Sequence, residues 1–252
     1  MIIDIIQTQG TGTRRFEVSH NKKAAYFGEV SAVSSLSACR LLRPDGSVAL
    51  STQSAGGFVA YRVLNYVLMV LVLAIGVAIY VFFPPDESPA PFIAAMVSLS
   101  VGLFVYVIFK DSVFRFKRKR CHALGSSLGA IEFYQMSGGF LYMYHVIAAD
   151  GKIFKLFSIS QGRFEHISIY SGDAQIGQID VDLNVYQRKD YRVYLLDSYA
   201  KLADILTLFA LYYHSMHYAR RREFQYGKER SWTYSRANKF YNPSWVADNF
   251  KE

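Results

Sequence analysis

Residues 63–83 read VLNYVLMVLVLAIGVAIYVFF, and residues 92–109 read FIAAMVSLSVGLFVYVIF. At 1.5 Å of rise per residue, runs of this length cross or nearly cross the roughly 30 Å apolar core of a bilayer. The residues between them, 84–91, include four prolines, which a helix interior does not accommodate. The segment 58–110 therefore predicts a membrane hairpin of two antiparallel helices. A buried helix pair in a soluble core is the alternative.

Basic residues flank this segment but are missing from its turn. Arg62 precedes the first run, and a basic cluster consisting of Arg115, Lys117, Arg118, Lys119 and Arg120 follows the second run. Positively charged flanks stay on the cytoplasmic side. We therefore predict a multi-pass protein of the plasma membrane with both termini in the cytoplasm. The start of the chain lacks the basic region of a signal peptide, so the hairpin itself is expected to direct insertion.

The basic clusters also predict a contact with lipid. The formal net charge is +8, and Arg220, Arg221 and Arg222 form a second cluster. Anionic lipid of the inner leaflet attracts basic residues near its surface by about 1 kcal/mol each. Phe114 and Phe116 interleave with the first cluster, as expected among headgroups, although a topology signal with no further role explains the same charges. The sequence lacks the signatures that would indicate binding of nucleic acid.

Short alternating segments on both sides of the hairpin predict a β domain in two parts, residues 1–57 and 111–222. Turn signals such as Pro44-Asp45-Gly46 separate the segments. The predicted strands are 15–18, 24–30, 38–42, 47–51, 130–135, 141–148, 153–158, 164–170, 175–182 and 191–197. This regular spacing is typical of an all-β barrel or sandwich. Because the first part alone has too little core, we expect it to pair with the second.

The pattern changes after the last predicted strand. Residues 201–220 are apolar nearly all round a helix, and their unbroken apolar part, 205–213, is too short to span a membrane. A third span would also place the basic residues after it on the outer side. We therefore predict a core helix enclosed by the strands. The tail, 223–252, mixes aromatic and basic residues; it is expected to lie on the barrel or at the lipid interface, or to be a plain surface tail.

The strand–turn–strand stretch Phe164–Ile179, followed by Tyr191–Leu195 and the apolar helix, resembles the tubby C-terminal-like superfamily. That superfamily includes tubby domains, phospholipid scramblases and LURP-one-related proteins. The resemblance implies a mostly β fold, a twelve-stranded barrel threaded by the apolar helix, with the membrane hairpin inserted in a barrel loop. It also implies a lipid- or membrane-associated role. No residue here matches a phosphoinositide site or a calcium loop of the superfamily.

Two motifs suggest chemistry but have structural explanations. Residues 125–129, Gly-Ser-Ser-Leu-Gly, match the nucleophile elbow of hydrolases without the strand before it and the helix after it that the elbow needs. His214 and His217 share a helix face and are candidate metal ligands, although hydrogen-bonded histidines at the end of a core helix explain them better. A convergent set of nucleophile, base and orienting group is lacking. We therefore predict no enzyme activity and no cofactor.

The cysteines and aspartates are interpreted in the same way. Cys39 and Cys121 are expected to be free thiols, and a free thiol is favoured over lipidation at Cys121. Asp180, Asp182 and Asp190 form a loose acidic set that is explained best as a solvated face.

Taken together, these patterns predict a non-enzymatic membrane protein with a cytoplasmic β-barrel module. The module would contact anionic lipid or a protein partner, which includes a second copy of the chain. A scramblase-like protein that translocates lipid is the alternative. Two spans without an ionisable residue offer no polar path in a monomer, so this alternative requires an oligomer or a groove on the barrel.

Overall fold

A computed structural model describes residues 1–9, 13–31, 39–54, 58–82, 89–113, 118–137, 143–161, 164–182, 189–218 and 239–250. The chain divides into two compact units. The first comprises residues 1–55, 119–135 and 142–252, and the second comprises residues 56–118 and 136–141.

Twelve strands close into one β-barrel in the first unit. Each strand is hydrogen-bonded to its neighbours in sequence, and β12 returns to pair antiparallel with β1. The strands are β1 Ile2–Gln9, β2 Arg14–His20, β3 Lys23–Val30, β4 Cys39–Leu42, β5 Val48–Ser54, β6 Arg118–Leu124, β7 Ile131–Ser137, β8 Met143–Ala149, β9 Lys152–Gln161, β10 Phe164–Ser171, β11 Ala174–Asp182 and β12 Asp190–Leu195. Closure leaves no unpaired edge strand. The predictions of a mostly β fold and of a barrel whose two parts pair are confirmed, because β5 pairs with β6 across the insertion.

A helix fills the interior of the barrel. A 3₁₀ turn, Asp197–Leu202, leads into α3, Ala203–His217. Every residue of α3 from Ile205 to Ser215 is buried, so the helix is enclosed on all sides. The predicted core helix is confirmed, with later start and earlier end than the predicted 201–220.

The barrel wall carries small residues where the helix carries large ones. Tyr212 lies close enough to Cys39 and Cys121 for each thiol to influence the pKa of its hydroxyl. Both thiols are free, as predicted, and both are also buried. Burial raises the pKa of Cys39 to about 12, so this thiol stays protonated at neutral pH. Cys121 is 3% exposed and belongs to the core of the barrel.

Gly28 on β3 lies close against the helix. A Cβ atom at this position would lie 2.9 Å from Leu211 Cδ1 and 3.2 Å from Phe16 Cβ. We expect Gly28→Ala to lower the free energy of unfolding by about 1 kcal/mol, since the leucine tip must shift. Urea unfolding of the variant and of the unaltered chain, both in one detergent, measures this difference in the free energy of unfolding. The double variant Gly28→Ala/Leu211→Val should lose less than the sum of the two single losses, and additive losses would contradict the contact.

The two ends of the barrel differ. One end has tight turns, among them Asp150-Gly151, where φ is 52° and 69° as a two-residue type I′ hairpin requires. The other end has the connections from β1 to β2, β3 to β4, β5 to β6, β7 to β8, β9 to β10 and β11 to β12. We call this second end the rim. The inserted helices lie in its β5–β6 connection, between Ser54 and Arg118.

The second unit contains two helices of 25 residues each, α1 Phe58–Phe82 and α2 Pro89–Val113. Tyr80 and Phe92 pack edge to face, with ring centroids 6.3 Å apart. The first helix begins five residues before the predicted 63–83 and ends one residue earlier, and the second extends beyond the predicted 92–109 at both ends. Among the residues that the structure describes, no helix combines the length and the apolar character needed to cross a membrane. The membrane hairpin therefore stays a prediction.

Two of the four prolines predicted to lie in the turn between the helices belong to the start of the second helix instead. Pro89 and Pro91 lie in the first turn of α2, where the missing amide hydrogen would have had no helical partner. The predicted turn is thus shorter than residues 84–91. Further along, Ser100 Oγ donates to the carbonyl of Met96 at 2.8 Å, which satisfies this hydroxyl within the helix.

Candidate functional site

Polar side chains gather at the rim around the C-terminal end of α3. They come from the rim ends of β2, β10 and β12 and from the last turn of α3, so the barrel topology brings together residues far apart in sequence. We call this set the rim cluster: Arg14, Glu165, Lys189, Tyr191, Tyr213, His214 and Tyr218.

His214 is the buried centre of the rim cluster, with 1% of its surface exposed. Arg14 Nη1 lies 2.8 Å from His214 Nε2, and Tyr191 Oη lies 2.8 Å from His214 Nδ1. A guanidinium can only donate, so Nε2 must be the acceptor and carries no hydrogen. The neutral ring then carries its hydrogen on Nδ1 and donates it to Tyr191. The contacts therefore select one tautomer of a neutral histidine.

Burial keeps three groups of the cluster, His214, Tyr191 and Tyr213, in their neutral forms. Burial, with added repulsion from Arg14 and Lys189, lowers the pKa of His214 to about 3. Burial also raises the pKa of Tyr191 and of Tyr213 well above the usual value of a tyrosine. None of these three groups gains or loses a proton near neutral pH. General acid–base catalysis uses groups whose pKa lies near the working pH, and these three do not meet that condition.

Glu165 organises the other half of the cluster. Its carboxylate accepts hydrogen bonds from Tyr213 Oη at 2.6 Å and from Tyr218 Oη. The Lys189 ammonium lies over the Tyr218 ring, 5.6 Å from its centroid. Burial lowers the pKa of Lys189, while Asp182 and Glu165 oppose this shift. Burial likewise lowers the pKa of Arg14. Two half-buried cations are therefore held at the rim by a fixed polar scaffold.

The predicted lipid-contacting residues fall into three groups. Arg120 points to Glu132 on the neighbouring strand and forms an ion pair with it, so its charge is partly neutralised within the barrel. Arg118 and Lys119 belong to β6 rather than to a collar outside the domain. Arg115 and Lys117 lie outside the described residues, as do Arg220, Arg221 and Arg222.

The structure explains the two motifs that suggested chemistry. Residues 125–129 form the turn between β6 and β7, with positive φ at both glycines, and the amide of Leu128 donates to Ser126 Oγ at 3.0 Å. A strand rather than a helix follows this turn. His214 is hydrogen-bonded at the end of a core helix, as predicted. The rings of His217 and Tyr213 lie 4.3 Å apart.

Two of the three aspartates of the acidic set accept hydrogen bonds at separate places, and the third, Asp182, opposes the lowering of the Lys189 pKa. Asp180 accepts from Gln178 Nε2 at 2.7 Å and lies 2.7 Å from His166 Nδ1. Asp190 accepts from the backbone amide of Gln7 at 3.0 Å. Among the described residues, no group of His, Cys, Asp and Glu is arranged to hold a metal ion.

Comparison with known protein families, with curated proteins and with solved structures finds no match for this chain.

Proposed function

We propose that the chain is a non-enzymatic membrane protein whose helices α1 and α2 span the bilayer and whose barrel presents a basic rim to anionic lipid. In this arrangement the β-barrel is a module of tubby C-terminal-like type on the cytoplasmic side of the plasma membrane. The observation that carries the proposal is the exposed apolar surface of the two helices.

This surface is extensive. Thirteen large apolar side chains of α1 and α2 are at least 36% exposed: Tyr66, Val67, Val70, Leu71, Ile75, Val77, Tyr80, Val81, Phe82, Ile93, Met96, Val97 and Val101. Proteins rarely leave so large an apolar patch in water unless it meets a membrane or a partner. The printed sequence continues the apolar pattern through the positions between them. A bilayer would cover the apolar surface of both helices at once.

The charge of the barrel is divided between its two ends. At the rim, basic residues of the described strand ends outnumber acidic ones: Arg14, Arg15, Arg118, Lys119 and Lys189 against Glu29, Glu165, Asp182 and Asp190. In the sequence, the segments that join these strands add Lys110, Asp111, Arg115, Lys117, Arg163 and Arg188. The end with tight turns carries both signs: Lys22, Lys23, Arg43, Asp45, Asp150, Lys152, Asp173 and Asp197. The rim is also the end at which the chain leaves for α1 and returns from α2. Anionic headgroups would favour this end.

Insertion is tested by placing charges in the two spans. We expect the unaltered chain to stay in the membrane fraction after alkaline extraction. The variant Val70→Arg/Val101→Arg should be released, because each arginine at the centre of a span disfavours insertion by about 3 kcal/mol. Val48→Arg, at an exposed position of the barrel, is the control. Release of the unaltered chain would show that the helices do not span.

The lipid contact is tested without the helices. Since β5 and β6 are register partners from Ser51 to Ser54, a short Gly-Ser linker in place of residues 58–110 would leave an ordinary hairpin. Circular dichroism checks that this variant folds. It should float with vesicles of anionic lipid and not with neutral vesicles.

The matched comparison uses three neutral substitutions at each end of the barrel. Replacing Arg115, Lys117 and Lys119 by glutamine should weaken vesicle binding about 100-fold, at about 1 kcal/mol for each charge. The same change at Lys22, Lys23 and Lys152 should have little effect. Equal losses at both ends, or equal binding to neutral vesicles, would remove the rim as the lipid-binding surface.

A further inference from the structure

The last described segment of the chain, residues 239–250, covers the outside of the barrel over β9 to β12. We call this segment the strap. Phe240 stacks on Phe157, with centroids 3.8 Å apart and planes at 9°. Tyr241 stacks on His166 at 5.1 Å. The backbone of the strap is also bound to the barrel, because Tyr170 Oη donates to the carbonyl of Phe240 at 3.1 Å.

The strap has its own internal structure. Asn242 Oδ1 accepts from the amide of Ser244 at 3.1 Å, and Ser244 Oγ donates to Asp248 at 2.8 Å. A single helical turn, α4 (Trp245–Asn249), then packs the buried Trp245 against Phe250. Phe250 in turn contacts Tyr194 of β12, with centroids 5.3 Å apart. The internal hydrogen bonds and the helical turn therefore hold the aromatic side chains of the strap in the arrangement in which they contact the barrel.

The surface under the strap is a groove with an aromatic border and a polar floor. Register pairing places Phe157, Ser168, Gln178 and Tyr194 side by side across the four strands. The two central side chains are buried although they face outward, since Ser168 is 0% exposed and Gln178 is 4% exposed. Rings of the strap contact the border on both sides, at Phe157 and at Tyr194. We call this surface, formed by Phe157, Ser168, Gln178 and Tyr194, the groove.

Two polar atoms on the floor of the groove are left unsatisfied. Gln178 must direct its amide nitrogen to Asp180, because a carboxylate only accepts, so its Oε1 faces the other way. Neither Gln178 Oε1 nor Ser168 Oγ has a hydrogen-bond partner within the described ranges. Leaving such buried atoms unmatched disfavours the bound arrangement. The strap thus contacts the border of the groove and leaves two atoms of its floor unmatched, which weakens its docking.

We propose that this groove is a peptide-docking site that accepts the strap of a second copy of the chain. The occupant is indicated by the strap itself, whose Phe-Tyr pair and Trp-containing turn match the groove. Residues 219–238 join the strap to α3. Twenty residues reach at most about 70 Å when fully extended, so the length of this connection allows the strap to reach a neighbouring chain as well as its own. Binding within one chain and between two chains makes the same contacts, and effective concentration decides between them.

A vacant groove tests the docking site. A fluorescent peptide with the sequence of residues 239–252 is titrated into full-length chain that carries Phe240→Ala and Tyr241→Ala. We expect saturable binding to this variant and at least about tenfold weaker binding to the unaltered chain, whose own strap competes. Adding Tyr170→Phe to the variant should weaken binding about fivefold, the effect of one neutral hydrogen bond. Adding Phe27→Ala, an exposed ring on β3, should change nothing.

Exchange between two chains is tested by complementation. One tagged chain carries the strap variant, and a second, differently tagged chain carries Phe157→Ala in its groove. We expect the mixture to form a heterodimer that neither chain forms alone, and an excess of the free peptide should dissociate it. Failure of the peptide to bind a folded strap variant would overturn the docking site. Peptide binding without a heterodimer would overturn the second copy as its occupant.

Discussion

Replacing Phe209 by alanine is expected to lower the free energy of unfolding by about 3–5 kcal/mol, the range found for buried aromatic residues. Phe209 is 0% exposed in the middle of α3 and packs edge to face against Phe133, with centroids 5.6 Å apart. The rings of His145 and Tyr213 lie 5.7 and 6.1 Å away. Because the wall closes on itself, the strands cannot collapse far into the space left by the ring.

Thermal unfolding in a single detergent, followed by circular dichroism, measures this loss. The control is Phe27→Ala, which removes the same atoms from an outer position that is 46% exposed. We expect the control to shift the melting temperature by less than a third of the Phe209→Ala shift. Similar shifts for the two variants would mean that α3 does not carry the core.

Lowering the pH from 7.5 to 5.0 is expected to destabilise the barrel by about 2 kcal/mol through His214 alone. In the folded protein its pKa is about 3, whereas the unfolded value is 6.5. Between these values only the unfolded chain binds the proton. Acid therefore favours unfolding throughout this range, and the stabilisation is complete above about pH 6.5. Protonation would also put a second donor against the Arg14 guanidinium.

His214→Gln isolates this contribution from the other histidines. Its side-chain oxygen can accept from Arg14 and its amide can donate to Tyr191, which copies the neutral tautomer without the titration. We expect the variant to lose about 2 kcal/mol less than the unaltered chain between pH 7.5 and 5.0. An unchanged pH dependence would show that the ring is already protonated, or that it is reached by solvent.

The barrel and its helix could be predicted because their patterns are local. Alternation along each strand and turn signals such as Asp150-Gly151 suffice for most of the wall. A helix that is apolar all round, too short to span a bilayer, indicates enclosure. Two strands escaped prediction for physical reasons. In β1 only Ile3, Ile5 and Gln7 face inward, so the alternation of apolar and polar residues is short. In β6 the inward residues Cys121 and Ala123 are small, because Tyr212 occupies the space opposite, so the apolar signal is weak.

The rim cluster could not be predicted, because its contacts join distant parts of the chain. Arg14 and His214 are 200 positions apart, and Tyr213 and Glu165 are 48 positions apart. A lone basic residue in a β-hairpin has no feature that identifies such a partner. His214 itself was marked by its position at the end of an apolar helix. For the tail, the sequence allows a segment packed on the barrel or at the lipid interface, and also a plain surface tail. Residues 239–250 pack on the barrel.

The pairing of β1 with β12 determines when the protein can be completed. Arg192 bonds Asp4 across this seam, although the two residues are 188 positions apart along the chain. At 5–20 residues per second, a ribosome needs on the order of 10 s to pass from β5 to β12. Until then β1 has an unpaired edge, and α3, which fills the interior of the barrel, has not been synthesised. The nascent chain must therefore be shielded from aggregation for that whole interval. Any delay in synthesis or folding of the two helices between β5 and β6 lengthens the interval.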